Sequence, residues 1–233
     1  MTNEFESVFR KFVTGFGGEV IPETSDSKVA DYLFRKQNII AELKCLMRDQ
    51  TETMTQKVVQ IAIEWIRTHN RFPPGYDGEF LEIAKVPKMI SDKWLDILRS
   101  PVENLIRDAN RQIRETKTRL ALSDAKGLVL VFNQANQLHN RPHDFRRLLE
   151  NVLRKRDAER KLRFPNIHGL VYFSFETVKS EPHQMSFWAP MQVRERLSED
   201  VTPMQTFQRE LRDAWYSFVE VHFGKKVRQH DIE

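Results

Sequence analysis

Two short stretches decide how this chain reads: Val29-Ala30-Asp31-Tyr32 and Ile39-Ile40-Ala41-Glu42-Leu43-Lys44-Cys45-Leu46. The second is strand-like, an apolar run interrupted only by Glu42 and Lys44. Side chains alternate faces along a strand, so Glu42 and Lys44 share one face while Ala41, Leu43 and Cys45 point to the other. Charged groups rarely sit inside such a run without partners. The polar residues Arg35-Lys36-Gln37-Asn38 separate it from a first strand-like run over 28–34, and the two read as a hairpin. Folding the hairpin about Lys36-Gln37 sets opposite each other the residues whose numbers sum to 73. Asp31 then faces Glu42 and Val29 faces Lys44, with opposed Cβ atoms about 4.5–5.5 Å apart on one face.

Two carboxylates side by side repel, and one keeps its proton unless a cation lies between them. A hard divalent ion such as Mg²⁺, with Mn²⁺ expected to substitute, suits this oxygen environment and usually keeps waters or borrows phosphate oxygens. Lys44, one step along, would orient or activate water, or stabilise charge developing on a phosphate. The blander reading is a solvated ion pair on an exposed sheet face, worth little. Against it, the same face carries Val29, Leu33, Ile40 and Leu46 and is not plainly wet.

This arrangement resembles the PD-(D/E)XK nuclease superfamily, the restriction-endonuclease-like fold. Asp31 corresponds to the first acid and Glu42-Leu43-Lys44 to the E-x-K element, although Ala30 stands where the family's name places Pro. The surrounding order of helix, hairpin-bearing strands, helix and buried strand corresponds over about residues 4–133. The resemblance implies Mg²⁺-dependent hydrolysis of phosphodiester bonds, with Asp31 and Glu42 as metal ligands and Lys44 as the catalytic lysine. Some members add an acid from the first helix, for which Glu6 is the candidate and Glu4 the second choice. An acid complementing the helix dipole is the better reading of either. Gln56 and Gln60, one turn apart on the next predicted helix, could approach the metal or a phosphate, as a Gln does in some members. A solvated helix face explains them equally well.

Outward from the hairpin, the periodicity predicts a helix over 4–16, with Phe5, Val8, Phe9, Phe12 and Val13 on one face and Gly15, Gly17 and Gly18 ending it. A helix is expected over 52–69. Pro73-Pro74-Gly75, Gly78 and Pro87 mark 71–90 as irregular, within an insertion of about 71–99. A long helix is predicted over 101–122 with Pro101 in its first turn, and a doubly buried strand over 126–132. A helix over 142–161, a buried strand over 169–175, a further strand near 185–189 and a helix over 203–223 follow. The expected fold class is α/β, a mixed central β-sheet flanked by helices with a restriction-endonuclease-like core. One domain is expected over 1–233, with the core at about 4–133 and an extension at about 134–233.

Composition is permissive. The 233 residues are 40% hydrophobic and 30% charged, which affords a core and excludes wholesale disorder. Mean hydropathy is −0.56, and no apolar run approaches the ~18 residues of a membrane helix. The acidic start, Met1-Thr2-Asn3-Glu4-Phe5-Glu6, does not read as a signal peptide. Cys45, the single cysteine, allows neither an internal disulfide nor a cysteine-rich zinc site, so a reduced, cytoplasmic setting is expected. There is no phosphate loop of the G-x-x-x-x-G-K-[ST] type. His139-Asn140-Arg141-Pro142-His143 lacks the zinc-ligand pattern and reads as a helix-capping loop.

A net charge of +4 and a pI near 9.2 permit a nucleic-acid partner without demanding one. Arg111, Arg114 and Lys117 on the long helix, and Arg154, Lys155 and Arg156 later, are the candidate phosphate contacts. A solvated face with i,i+4 ion pairs is the alternative. Asn110, Gln112 and Asn133-Gln134 are polar and could touch backbone or bases, but no role attaches to them. Taken with the resemblance, these features predict a metal-dependent nuclease acting on DNA, more in the manner of an endonuclease. A homodimer or partner protein would supply specificity, and no membrane is involved; the resemblance alone implies a defence or mobile-element setting. A non-catalytic nucleic-acid-binding or assembly module on the same fold, and an RNA nuclease, are the competing expectations.

Overall fold

The computed structural model describes residues 4–22, 28–46, 51–74, 87–133, 142–177, 183–192, 202–224 and 226–231. Helix α1 (Glu4–Gly15) leads into strands β1 (Glu19–Val20), β2 (Tyr32–Phe34) and β3 (Ile39–Leu46). Helices α2 (Thr51–His69) and α3 (Lys88–Arg119) precede β4 (Lys126–Asn133), α4 (Pro142–Leu153), β5 (Gly169–Thr177), β6 (His183–Gln192), α5 (Thr202–Phe223) and β7 (Lys226–Asp231). Among the described residues the strands form one seven-stranded sheet in sequence order. β1, β2 and β3 run antiparallel, β3, β4 and β5 parallel, β6 antiparallel to β5, and β7 parallel to β6. The sheet is therefore mixed and flanked by helices, as the alternating pattern predicted.

The hairpin register agrees with the sequence. Tyr32 pairs with Ala41, Leu33 with Ile40 and Phe34 with Ile39. A single 3₁₀ turn over Arg35–Gln37 closes it, and Asn38 takes the left-handed conformation at φ 53°, which Asn tolerates better than most residues. Arg35 also makes a two-pronged ion pair with Glu19, tying the turn to the edge strand.

Each face of the sheet carries a core. On one, Leu33, Ile40, Val129, Val131, Leu170 and Tyr172 pack against Val102, Ile106, Ala109 and Ile113 of α3 and Phe145 and Leu149 of α4. On the other, Tyr32, Ala41, Leu43, Leu130 and Phe173 meet Phe9 and Phe12 of α1 and Leu211 and Trp215 of α5. β4 is buried along nearly its whole length, as expected of a parallel strand covered on both faces.

The structure corrects five sequence expectations. The first strand is only Tyr32–Phe34, because the Ala30 N–H goes to Thr116 of α3 rather than to β3, while the Val29 carbonyl accepts from Gln112. The edge pair β1 and the terminal β7 carry no strong periodic signal and were not predicted. The insertion expected over 71–99 is helical from Lys88 onward, and Pro101 lies inside α3 rather than in its first turn. Pro101 removes one helical hydrogen bond, but Ile90 and Val102 on either side of it are buried, and packing outweighs the loss. The helix expected over 142–161 ends at Leu153. Beyond it, the Asp157 carboxylate accepts the N–H groups of Glu159 and Lys161 and folds the basic stretch into a tight turn, with an isolated bridge between Arg156 and Leu162.

Candidate functional site

Alternation along β3 sends Ile40, Glu42, Lys44 and Leu46 toward α3. Continued by one step, the observed register places Asp31 opposite Glu42, just beyond the last paired residue of β2. Asp31 Oδ2 accepts the Leu43 N–H at 2.8 Å, and the Asp31 carbonyl accepts the Ile21 N–H from beside β1. The acid is thus fixed by its backbone on one side and by its side chain on the other.

Glu42 is 2% exposed. Its Oε1 accepts from Lys44 Nζ at 2.5 Å, and its Oε2 is buried with no hydrogen-bond partner among the described residues. Burial, then the neighbouring Asp31 charge, push its carboxyl up to about 8, against the opposing pull of Lys44. Burial also raises Asp31, although the Leu43 N–H and the Lys44 charge pull it down. While both acids are ionised neither has a proton to give the other. Protonating one lets them share a hydrogen bond, which a divalent cation would replace. A buried carboxylate oxygen without a donor, facing a second carboxylate, fits a cation. Asp31 and Glu42 are the residues that could hold one.

Lys44 completes the group. Its ammonium donates to Glu42 Oε1 and, at 2.6 Å, to Gln112 Oε1 of α3, and its side chain stays 22% exposed. Gln112 Nε2 donates in turn to the Val29 carbonyl at 3.1 Å. Sequence reading attached no role to Gln112. Its one available signal was a polar residue beside the apolar stripe of an amphipathic helix, which many solvated residues share.

The auxiliary candidates separate. Glu6 of α1 is half-buried, and its charge reaches Asp31 and Cys45. It does not join Asp31 and Glu42 in a cluster: among the described residues no three His, Cys, Asp or Glu side chains converge as metal ligands. Glu4 lies in the first turn of α1, and its side chain is outside the described ones. Gln56 and Gln60 stand exposed on α2, and neither hydrogen-bonds to the Asp31 group. Cys45 points to the opposite face, where burial pushes its thiol up to about 12 and leaves no thiolate nucleophile at neutral pH.

The basic candidates also divide. Arg111 and Arg114 are exposed on α3, flanking Gln112, with Asp108 and Glu115 as surface partners. Lys117 is partly buried on the same helix. Lys155 is turned inward onto Glu103, which also holds Arg163 at 2.6 Å and Arg107 at 3.5 Å. Burial alone would raise the Glu103 carboxyl, but Lys155, Arg163 and Arg107 outweigh it and hold it below the usual range. Arg154 pairs with Glu150, and Arg156 donates to the Arg160 carbonyl. Glu103 lies nine residues before Gln112 on α3, about 13 Å along the helix axis. Arg111 and Arg114 therefore stay exposed on the helix that carries Gln112, whereas Lys155 is held in a separate ionic cluster around Glu103. The histidines at 139 and 143 fall outside the described side chains.

No family model, curated protein or solved structure matches the chain. No helix among the described residues is long and apolar enough to cross a membrane.

Proposed function

We propose that this protein is a metal-dependent nuclease that hydrolyses phosphodiester bonds of DNA, with Asp31 and Glu42 as ligands for Mg²⁺ and Lys44 as the catalytic lysine. One observation carries the reading: a buried carboxylate with an unpartnered oxygen, a second carboxylate across the hairpin, and an ammonium one strand step away. The order α1, β1, β2, β3, helices, β4, with β3 and β4 parallel, supports a restriction-endonuclease-like core, with two helices where the common core has one.

The chemistry follows from the donors and acceptors present. When bound, Mg²⁺ or Mn²⁺ would supply Lewis-acid polarisation of a phosphate oxygen and a more acidic water. Asp31 and Glu42 would supply the negative charge that holds it. The Lys44 Nζ donates to Glu42 and Gln112, which use two of the three N–H groups of an ammonium. The third can donate to a non-bridging phosphate oxygen, where negative charge builds as water adds and the P–O bond breaks. Exposed Arg111 and Arg114 on α3 suit backbone contacts, which position nucleic acid without reading its sequence. Specificity would then come from a homodimer or partner protein, and a defence or mobile-element role is in keeping with such an enzyme acting in the cytoplasm.

The test is a plasmid nicking assay across a divalent-metal series, with Glu42→Ala and Lys44→Ala beside the wild type. Metal-dependent nicking should fall by roughly 10²–10³-fold in Lys44→Ala, with DNA binding retained. Wild-type protein that binds DNA yet never cuts it with Mg²⁺ or Mn²⁺ would identify a binding module instead. Labelled RNA run in parallel separates the RNA-nuclease alternative.

A further inference from the structure

Continued in the register of β2 and β3, the ladder would pair Ala30 with Leu43. That pairing is diverted. The Ala30 N–H donates instead to Thr116 Oγ1 of α3 at 2.7 Å, inside the protein, and the Leu43 N–H is taken by the Asp31 carboxylate at 2.8 Å. One residue earlier, the Val29 carbonyl accepts from Gln112 Nε2. Gln112 and Thr116 are one helical turn apart and stack on the same face of α3. Thr116 is fully buried. Its hydroxyl proton goes to the Gln112 carbonyl at 2.8 Å, which leaves an oxygen lone pair aimed at Ala30. The Gln112 side chain is likewise committed at both ends, its Nε2 on Val29 and its Oε1 on the Lys44 ammonium at 2.6 Å.

We infer that Gln112 and Thr116 are positioning residues that grip Val29 and Ala30, hold the end of the β2–β3 ladder open and fix Asp31 and Lys44 in their working places. The inference deepens the nuclease reading and rests on it. The chemistry is economical of groups. A regular ladder would present the Leu43 N–H to the Ala30 carbonyl and leave Asp31 standing free. With Ala30 held by Thr116, the Leu43 N–H is available to orient the carboxylate. Gln112 couples the two halves: the amide that restrains the backbone before Asp31 also restrains the ammonium of Lys44. Neither residue would touch the scissile phosphate, so their effect belongs in turnover rather than in substrate affinity.

The experiment uses the full chain with Thr116→Val, Gln112→Leu and Gln112→Glu. Thr116→Val keeps shape and loses the acceptor. Gln112→Leu loses both contacts, whereas Gln112→Glu keeps the acceptor for Lys44. The readouts are amide hydrogen exchange at Ala30 and the kcat and KM of plasmid nicking with Mn²⁺. Exchange at Ala30 should quicken at least tenfold in Thr116→Val. Nicking kcat should fall at least tenfold in Thr116→Val and Gln112→Leu at unchanged KM, and Gln112→Glu should recover most of it. If the wild type and all three variants nick alike while Glu42→Ala is dead, the positioning role is wrong and the nuclease reading stands. Unchanged protection of Ala30 in Thr116→Val would also overturn it. A wild type that never nicks under any metal removes the nuclease reading itself, an outcome distinct from either.

Discussion

Glu42 is the residue on which the site turns, and its protonation makes a stability prediction. Unfolded, its carboxyl ionises near the ordinary glutamate value of 4.5; folded, burial and Asp31 hold the proton until about pH 8. Between these values the native state binds the extra proton, so stability of the metal-free protein falls as pH rises through that window. The slope from this group is at most about 1.4 kcal/mol per pH unit. Thermal denaturation at pH 5 and pH 8 with a metal chelator present should show the loss, and Glu42→Gln should flatten it. A profile equally steep in Glu42→Gln would assign the dependence to other groups. On the proposed function, added Mg²⁺ should raise Tm more at pH 8 than at pH 5, because cation and proton compete for the same carboxylates.

At the scale of elements, the start of β4 shows how closely the backbones approach. A Cβ on Gly127 would stand 2.0 Å from the Asn166 carbonyl oxygen and 2.9 Å from Ile113 Cγ2. The His168 N–H donates to the Gly127 carbonyl, which holds the segment before β5 against β4. Gly127→Ala must push this segment or α3 aside and should cost about 1–3 kcal/mol, read as a lower midpoint in denaturant with the slope unchanged. The hairpin is the element most legible in the sequence. Its polar spacer and two apolar runs defined both the turn and the register. Its length was not legible, since β2 begins only at Tyr32 for reasons lying more than 80 residues away on α3.

Across the whole molecule the basic residues serve two ends. Arg111 and Arg114 are free to turn toward a polyanion at the modest cost of surface pairs. Replacing both by Ala should weaken nucleic-acid binding at every sequence and lower the slope of log K against log salt by roughly one per lost phosphate contact. Lys155 is held by Glu103, so Lys155→Ala should act on the fold instead. Arg163 and Arg107 remain on Glu103 and both ions are partly hydrated, so the loss should be about 1 kcal/mol, seen in Tm with the salt slope of binding unchanged. A binding defect without a Tm change in Lys155→Ala would reverse that assignment. From sequence alone the two clusters look alike, because counting charges does not show which arginines and lysines already have a carboxylate.

Patterns of period two and period near four were enough to specify the mixed α/β class, the buried β4 and β5, and the face shared by Asp31, Glu42 and Lys44. These are local properties, because alternation and turn length follow from covalent geometry over a few residues. The grip of Gln112 and Thr116 on Val29 and Ala30, the run of α3 through Pro101 and the inward turn of Lys155 are contacts between segments far apart in the chain. They arise only when packing sets those segments side by side. Burial then raises the free energy of any polar group left without a partner, and folding chooses the partners.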